Sequence, residues 1–179
     1  MSRIISKNNE GVNIILEYLL MMVITIIMFS TMVLLLNDIQ NRTDRIVLNE
    51  EFEIISNDIA NRLSTFSSEL YLNQHMDDDE KAIIDDQNAG RPDQEIYFDL
   101  PELVKGKQYN VKIEHISGNI YTVTVASTSN SDIVSKTTFS NKAQDDLISI
   151  NEIEFNSQPG KYMISYDKDN KLITMVGIG

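Results

Sequence analysis

The stretch LNEEFEIISNDIANRLSTFSSEL, residues 48–70, decides the fold. Leu48, Phe52, Ile55, Ile59, Leu63, Phe66 and Leu70 recur at intervals of 4, 3, 4, 4, 3 and 4. That spacing places seven apolar side chains on one face of an α-helix. Asn57, Asp58, Asn61, Ser64, Ser67 and Ser68 fall on the other face. Such a stripe has to be covered, either by a second helix in a coiled coil or by the rest of the chain. The face is aromatic and β-branched and has no charged e and g partners, which argues against a zipper. A β-sheet supplied by the same chain is the expected cover.

Upstream lies EGVNIILEYLLMMVITIIMFSTMVLLLND, Glu10 to Asp38. Between Val12 and Leu36 only Asn13, Glu17, Tyr18, Thr25, Ser30 and Thr31 carry polar side-chain atoms. At about 1.5 Å per residue this run reaches roughly 37 Å, more than the roughly 30 Å hydrocarbon core of a bilayer. From Val12 to Asn73 there is neither proline nor glycine, so nothing demands a break. The sequence predicts one helix of α-helical character throughout, transmembrane over 12–36 and amphipathic over 37–74. Glu17 is the anomaly. A carboxylate at depth costs about 2.5 to 3.5 kcal/mol, so it needs the headgroups, a partner or a role.

Before the span the charges are Arg3, Lys7 and Glu10; after it come Asp38, Arg42, Asp44 and Arg45. Lysine and arginine are balanced across the span, so topology rests on size: a short head precedes it and a large acidic part follows. This predicts a single-pass protein of the cell membrane, with its N-terminus in the cytoplasm and its C-terminal head outside. A cleaved secretory signal is the competing reading, but the apolar run is about twice the usual 7 to 15 residues and no small-x-small site follows Leu36. The sequon Asn41-Arg42-Thr43 makes Asn41 a candidate glycosylation site just beyond the span.

Downstream, residues 75–94 hold seven acids together with Gly90 and Pro92 and read as an acidic, solvated connector. Asp77 to Glu80 lacks the spaced order of a calcium loop. The period then switches to two. Tyr109, Val111 and Ile113 alternate with Asn110, Lys112 and Glu114, the chain turns near Ser117 to Asn119, and Tyr121, Val123 and Val125 return. This is a hairpin with one apolar face. Residues 161–176 form another, turning at Asp167 to Asn170, where a turn is a better reading than a calcium ligand set. EIYFDL, DIVSKTTF and LISINEIEF bring the expectation to six or seven strands over 95–179. The predicted class is α+β: a long N-terminal helix packed on a small antiparallel β-sheet head, a pilin-like lollipop.

Composition narrows the function. The formal charge is −12, from 15 Lys and Arg against 27 Asp and Glu, which disfavours nucleic acid as a partner. Cysteine is absent, removing disulfides, thiolate metal sites and a cysteine nucleophile. Two histidines, His75 and His115, give little to a metal cluster or a hydrolytic triad. No nucleophile elbow, phosphate loop or paired catalytic carboxylate is present. The expectation is a protein that is not an enzyme, with no catalytic residues, no bound metal and no cofactor.

A short charged leader ending in Gly11, an oily helix with Glu17 near its start, an amphipathic continuation and a β-rich end together resemble the type IV pilin and archaellin superfamily, and within it the minor pilin-like proteins of archaeal envelopes. The resemblance implies a class III signal peptide, residues 1–11, cut between Gly11 and Val12 by a prepilin-type peptidase. It implies that Glu17 pairs with the free N-terminus of a neighbouring subunit, as two buried charges are less costly together than apart. Glu17 falls sixth after the cut, where the family's glutamate is fifth, and Glu10 stands where a basic residue is common. The implied function is a minor pilin or pseudopilin of a surface filament, with the membrane, the peptidase and other pilin-like subunits as partners. The alternative is an uncleaved single-pass anchor whose β head binds an envelope protein, such as a surface-layer or archaellum component.

Overall fold

The computed structural model describes residues 2–75, 95–130, 132–143, 147–158 and 160–178, and for residues 2–11 and Gln74 the backbone alone. The chain forms two compact units, Met1–Ile46 and Val47–Gly179. One helix, α1 (Ser2–His75), supplies the described part of the first unit and continues into the second. Eight strands follow: β1 (Glu95–Asp99), β2 (Tyr109–Ser117), β3 (Ile120–Ser127), β4 (Val134–Ser140), β5 (Ser149–Ile150), β6 (Ile153–Asn156), β7 (Lys161–Asp167) and β8 (Leu172–Ile178). The layout is α+β, as the periodicities predict. The expected connector at 75–94 lies outside the described residues except for His75, which ends α1. The calcium question at Asp77 to Glu80 lies outside them too.

The strands make two sheets where the sequence predicts one. Their orders are β1-β7-β8-β5 and β4-β3-β2-β6. The difference arises in LISINEIEF, which divides at Asn151 and Glu152. Ile148 and Ile150 are buried, and the inward positions resume at Ile153 and Phe155. That is a slip of one residue in a period of two, and such a slip turns a strand over unless the chain changes sheet. Here it changes sheet. β5 pairs with β8, in parallel, and β6 pairs with β2, antiparallel. The head is therefore mixed and not purely antiparallel.

Both expected hairpins are present. β2 and β3 pair with Val111 opposite Val125 and Ile113 opposite Val123. β7 and β8 pair with Ile164 opposite Met175 and Tyr162 opposite Gly177. In the second turn the Asp167 carboxylate accepts from the backbone N–H of Asp169 and Asn170 at 3.0 and 3.2 Å, and from Asn170 Nδ2 at 2.7 Å. These bonds, led by the Asn170 side chain, hold the Asp167 carboxyl below its ordinary value of 3.8. Its oxygens serve the turn, which is how an Asp and Asn sequence closes two strands.

The core of the second unit is built on α1. Leu48, Phe52, Ile55, Ile59, Leu63, Phe66 and Leu70 are all buried among the inward residues of both sheets. Phe52 meets Tyr109 of β2 with ring centroids 5.8 Å apart. Arg62, bonded to Asp58 at 2.9 Å, lies over Phe98 of β1 at 4.9 Å from the ring centroid. The helix thus touches both sheets, and its buried face is wider than a seven-residue stripe. Ser67, placed by periodicity on the solvent side, is fully buried; its Oγ donates to the Ser64 carbonyl and accepts from Lys142 N–H. Ser56 is buried as well, with Oγ 2.8 Å from Thr137 Oγ1 and 3.2 Å from Ser135 Oγ. Polar side chains at the border of a helix–sheet contact have to bond to each other once water is excluded.

Two tests follow from this packing. Every core residue lies within 47–179, so a fragment of those residues is expected to fold alone. In it Phe52→Ala should cost about 3 to 5 kcal/mol in urea unfolding, while Ile54→Ala, exposed on the same helix, should stay within about 0.5 kcal/mol. Equal effects would mean that the stripe is not the buried face. By NMR titration Asp167 should titrate below 3.8, and Asn170→Ala should raise its midpoint. The linked stability is fully present above the unfolded-state pKa and is lost as pH falls through the depressed folded value.

Candidate membrane and assembly site

The first unit is described from Val12 onward by its side chains, and every residue from Val12 to Ile46 is exposed. The helix from Val12 is long and apolar enough to cross a membrane, and none of its apolar window is buried. A soluble protein does not leave such a surface in water on all sides; a helix apolar around its whole circumference belongs in lipid or among other apolar helices. Leucine, isoleucine, methionine and valine carry the surface, with Phe29 in its C-terminal half.

The polar groups in the span divide into two kinds. The hydroxyls of Thr25, Ser30 and Thr31 each donate to the carbonyl four residues earlier, Met21, Ile26 and Ile27, at 2.8 Å. Their donors are satisfied inside the helix, which makes them tolerable in hydrocarbon. The bonds they make here reduce their capacity to hold a neighbouring helix. Asn13 and Glu17, four residues apart, have no hydrogen bond or ion pair among the described residues. At 100° per residue Asn13, Glu17 and Thr31 fall within about 40° of one another, while Tyr18, Thr25 and Ser30 lie on other faces. The signal for Asn13 is its i, i+4 spacing from Glu17.

Gly11 and Val12 lie in helical backbone, about 9 and 7.5 Å along the axis from Glu17 at 1.5 Å per residue. Gly11 is the only glycine in α1. Asn41 is exposed on the same helix, and its sequon partner Thr43 turns its hydroxyl back to the Ile39 carbonyl at 2.9 Å. Arg42, between them, pairs with Asp38 at 3.0 Å. Asn41 lies about 36 Å along the helix from Glu17 and belongs to a different surface.

The histidines are spoken for. His75 Nδ1 is 2.9 Å from the Tyr71 carbonyl and its ring lies 4.2 Å from that of Tyr71. His115 Nε2 is 2.7 Å from the Gly118 carbonyl, with Tyr121 beside the ring. Among the described residues no group of three or more His, Asp or Glu is placed to hold a metal ion.

No protein-family model, no curated protein and no solved structure matches this chain. The physical reading of the apolar helix therefore stands on the residues. If Val12 to Leu36 spans a bilayer, Ile24→Arg at its centre should disfavour insertion by about 2.5 to 3.5 kcal/mol. Recovery of the full chain from the membrane fraction after alkaline extraction measures this. Release of the unsubstituted chain into the alkaline supernatant would show that the helix is not held by lipid.

Proposed function

We propose that this chain is a pilin-like structural subunit, a minor pilin or pseudopilin, that is anchored in the cell membrane by Val12 to Leu36 and presents the unit 47–179 outside. The observation that carries the reading is the coexistence, on one helix, of an all-round apolar surface and, near its start, an Asn13 and a Glu17 without a hydrogen bond or ion pair among the described residues. A lone lipid anchor gains nothing from a carboxylate inside its apolar run and tolerates it by reaching back toward the headgroups. A helix that packs among others gains by it once an opposite charge is present, because each buried charge then relieves the other. In this reading the prepilin-type peptidase cuts between Gly11 and Val12, and the new ammonium group of one subunit meets Glu17 of the next. Gly11 suits the cut, since glycine weakens a helix by about 1 kcal/mol relative to alanine. The role is structural and needs no chemistry beyond that processing.

A second reading is favoured by the open strand edges of the head: an uncleaved anchor whose sheets bind an envelope protein. The two differ at the N-terminus. Intact mass and terminal sequencing of the protein from native membranes should show a chain beginning at Val12 if it is a processed subunit. A chain beginning at Met1 or Ser2 overturns processing and leaves the anchor. Glu17→Gln should then separate pairing from anchoring, because it leaves insertion intact while lowering incorporation into filaments. Normal incorporation of that variant would remove the ion pair from the account.

A further inference from the structure

Four strand edges are open among the described residues, and three are guarded. β4 carries Lys136, and its inward Ser135 and Thr137 are tied to Ser56 and Asn57 of α1. β1 is five residues long and flanked by Glu95 and Asp99. β6 is four residues long and carries Glu154. Charges, polar faces and shortness are the usual protections of a sheet edge. The fourth edge, the far side of β8, has neither a charge nor a polar face. β5 covers it only at Leu172 and Ile173, with a last bond from Asn151 N–H to the Ile173 carbonyl at 2.8 Å. Beyond that point β5 has left for the other sheet, and Met175, Val176, Gly177 and Ile178 follow without a charge.

The departure of the chain opens a groove of about 310 Å³ between β8 and β6. Ile153 and Phe155 form one wall and Met175 and Gly177 the other, with Tyr162 and Lys161 also lining it. The Tyr162 ring is held, 5.1 Å from Phe155 and 6.0 Å from Phe98, and its hydroxyl accepts from Gln158 N–H at 3.4 Å. Opposite Tyr162 in the ladder is Gly177, where a side chain is missing from an otherwise apolar inward row. A Cβ there would sit 3.6 Å from Tyr162 Cε1, an ordinary contact, and Gly177 has no left-handed φ that would require glycine. The space is therefore not forced by the backbone.

We propose that this groove accepts an extended strand from another protein, which pairs along Met175–Ile178 and sets small apolar side chains over Tyr162 and Gly177. Main-chain bonds would give the affinity and the alternate side chains the specificity. The free edge, about 13 Å at 3.3 Å per residue, takes roughly four residues. Lys161 is the one charged side chain in the lining and has no ion pair among the described residues, in a chain of net charge −12. It selects a strand with a carboxylate at that end. The inference holds for a filament subunit and for an anchor alike.

The test uses the full chain in detergent and a fluorescent peptide of about eight residues alternating valine and threonine, with a free C-terminal carboxylate or an amide. Expected are saturable anisotropy, slowed amide exchange at Met175–Ile178 and Ile153–Asn156, and weaker binding of the amide. Gly177→Leu should weaken binding at least about tenfold with the melting temperature unchanged. If Gly177→Leu lowers the melt, Lys161→Glu decides, by removing the preference for the carboxylate. Protection on Val134–Ser140 instead, wild-type binding by Gly177→Leu in a folded protein, or by Lys161→Glu without loss of that preference, overturns the assignment. So does the absence of saturation up to about 1 mM, or protection of the groove that rises with protein concentration without peptide, which would make a second copy the occupant.

Discussion

The burial of one helical stripe is the constraint on which the head depends. Leu48, Phe52, Ile55, Ile59, Leu63, Phe66 and Leu70 cannot remain in water, and the two sheets each have an apolar face that cannot either. Helix and sheets solve the problem jointly. At about 1.5 to 3 kcal/mol for each large apolar side chain fully buried, the stripe outweighs any of the polar bonds at its border. Those bonds have a different role. Ser56 with Ser135 and Thr137, and Ser67 with Lys142 N–H, fix which part of α1 faces which strand. An apolar contact alone tolerates sliding; a buried hydroxyl without a partner does not.

The same constraint explains what the sequence disclosed and what it concealed. Helical spacing of the stripe and the alternation at Tyr109 to Ile113 and Tyr121 to Val125 are local patterns with one physical meaning each, and they were readable. The slip in phase between Ile150 and Ile153 was also there to be read, but an alternating segment with a short polar break resembles a single strand. Deciding that β5 pairs in parallel with β8 needs a partner distant in sequence. Ser67 was misplaced because periodicity assumes one covering surface, whereas the segment after β4 also reaches α1, with Lys142 N–H bonded to Ser67 Oγ. Gly177 gave no warning either: a glycine near the end of a strand is common, and only its position opposite Tyr162 makes it an opening.

At the candidate site the balance is reversed. The apolar run, its length and the carboxylate within it were fully legible, because a membrane span is defined by composition more than by contacts. The structure added a distinction that composition cannot make. Thr25, Ser30 and Thr31 look like polar residues in an apolar run, yet each is satisfied by its own helix. Among the described residues Asn13 and Glu17 are not.

That distinction narrows the account of Glu17. A hydroxyl can be carried into lipid by bonding to the previous turn, but a carboxylate has no such internal remedy, since it accepts bonds and all the N–H groups of the preceding turn are engaged in the helix. Its remedies are external: water and headgroups, a proton, or a cation from another chain. Depth separates them. Glu17 stands five residues beyond Val12, about 7 to 8 Å along the axis, which a glutamate side chain can partly cover by reaching back toward the surface. If the chain keeps residues 1–11, the helix continues past Val12 and reaching back costs little, so the carboxylate tells nothing of assembly. If the chain begins at Val12, an ammonium group is created within two turns of Glu17 on every subunit. Two costly charges of opposite sign then sit near the start of one helix, at slightly different heights. Within one helix the rigid rise keeps them apart; between neighbours, a shift of less than two turns brings them together. The carboxylate becomes informative about packing only through the identity of the residue that begins the chain.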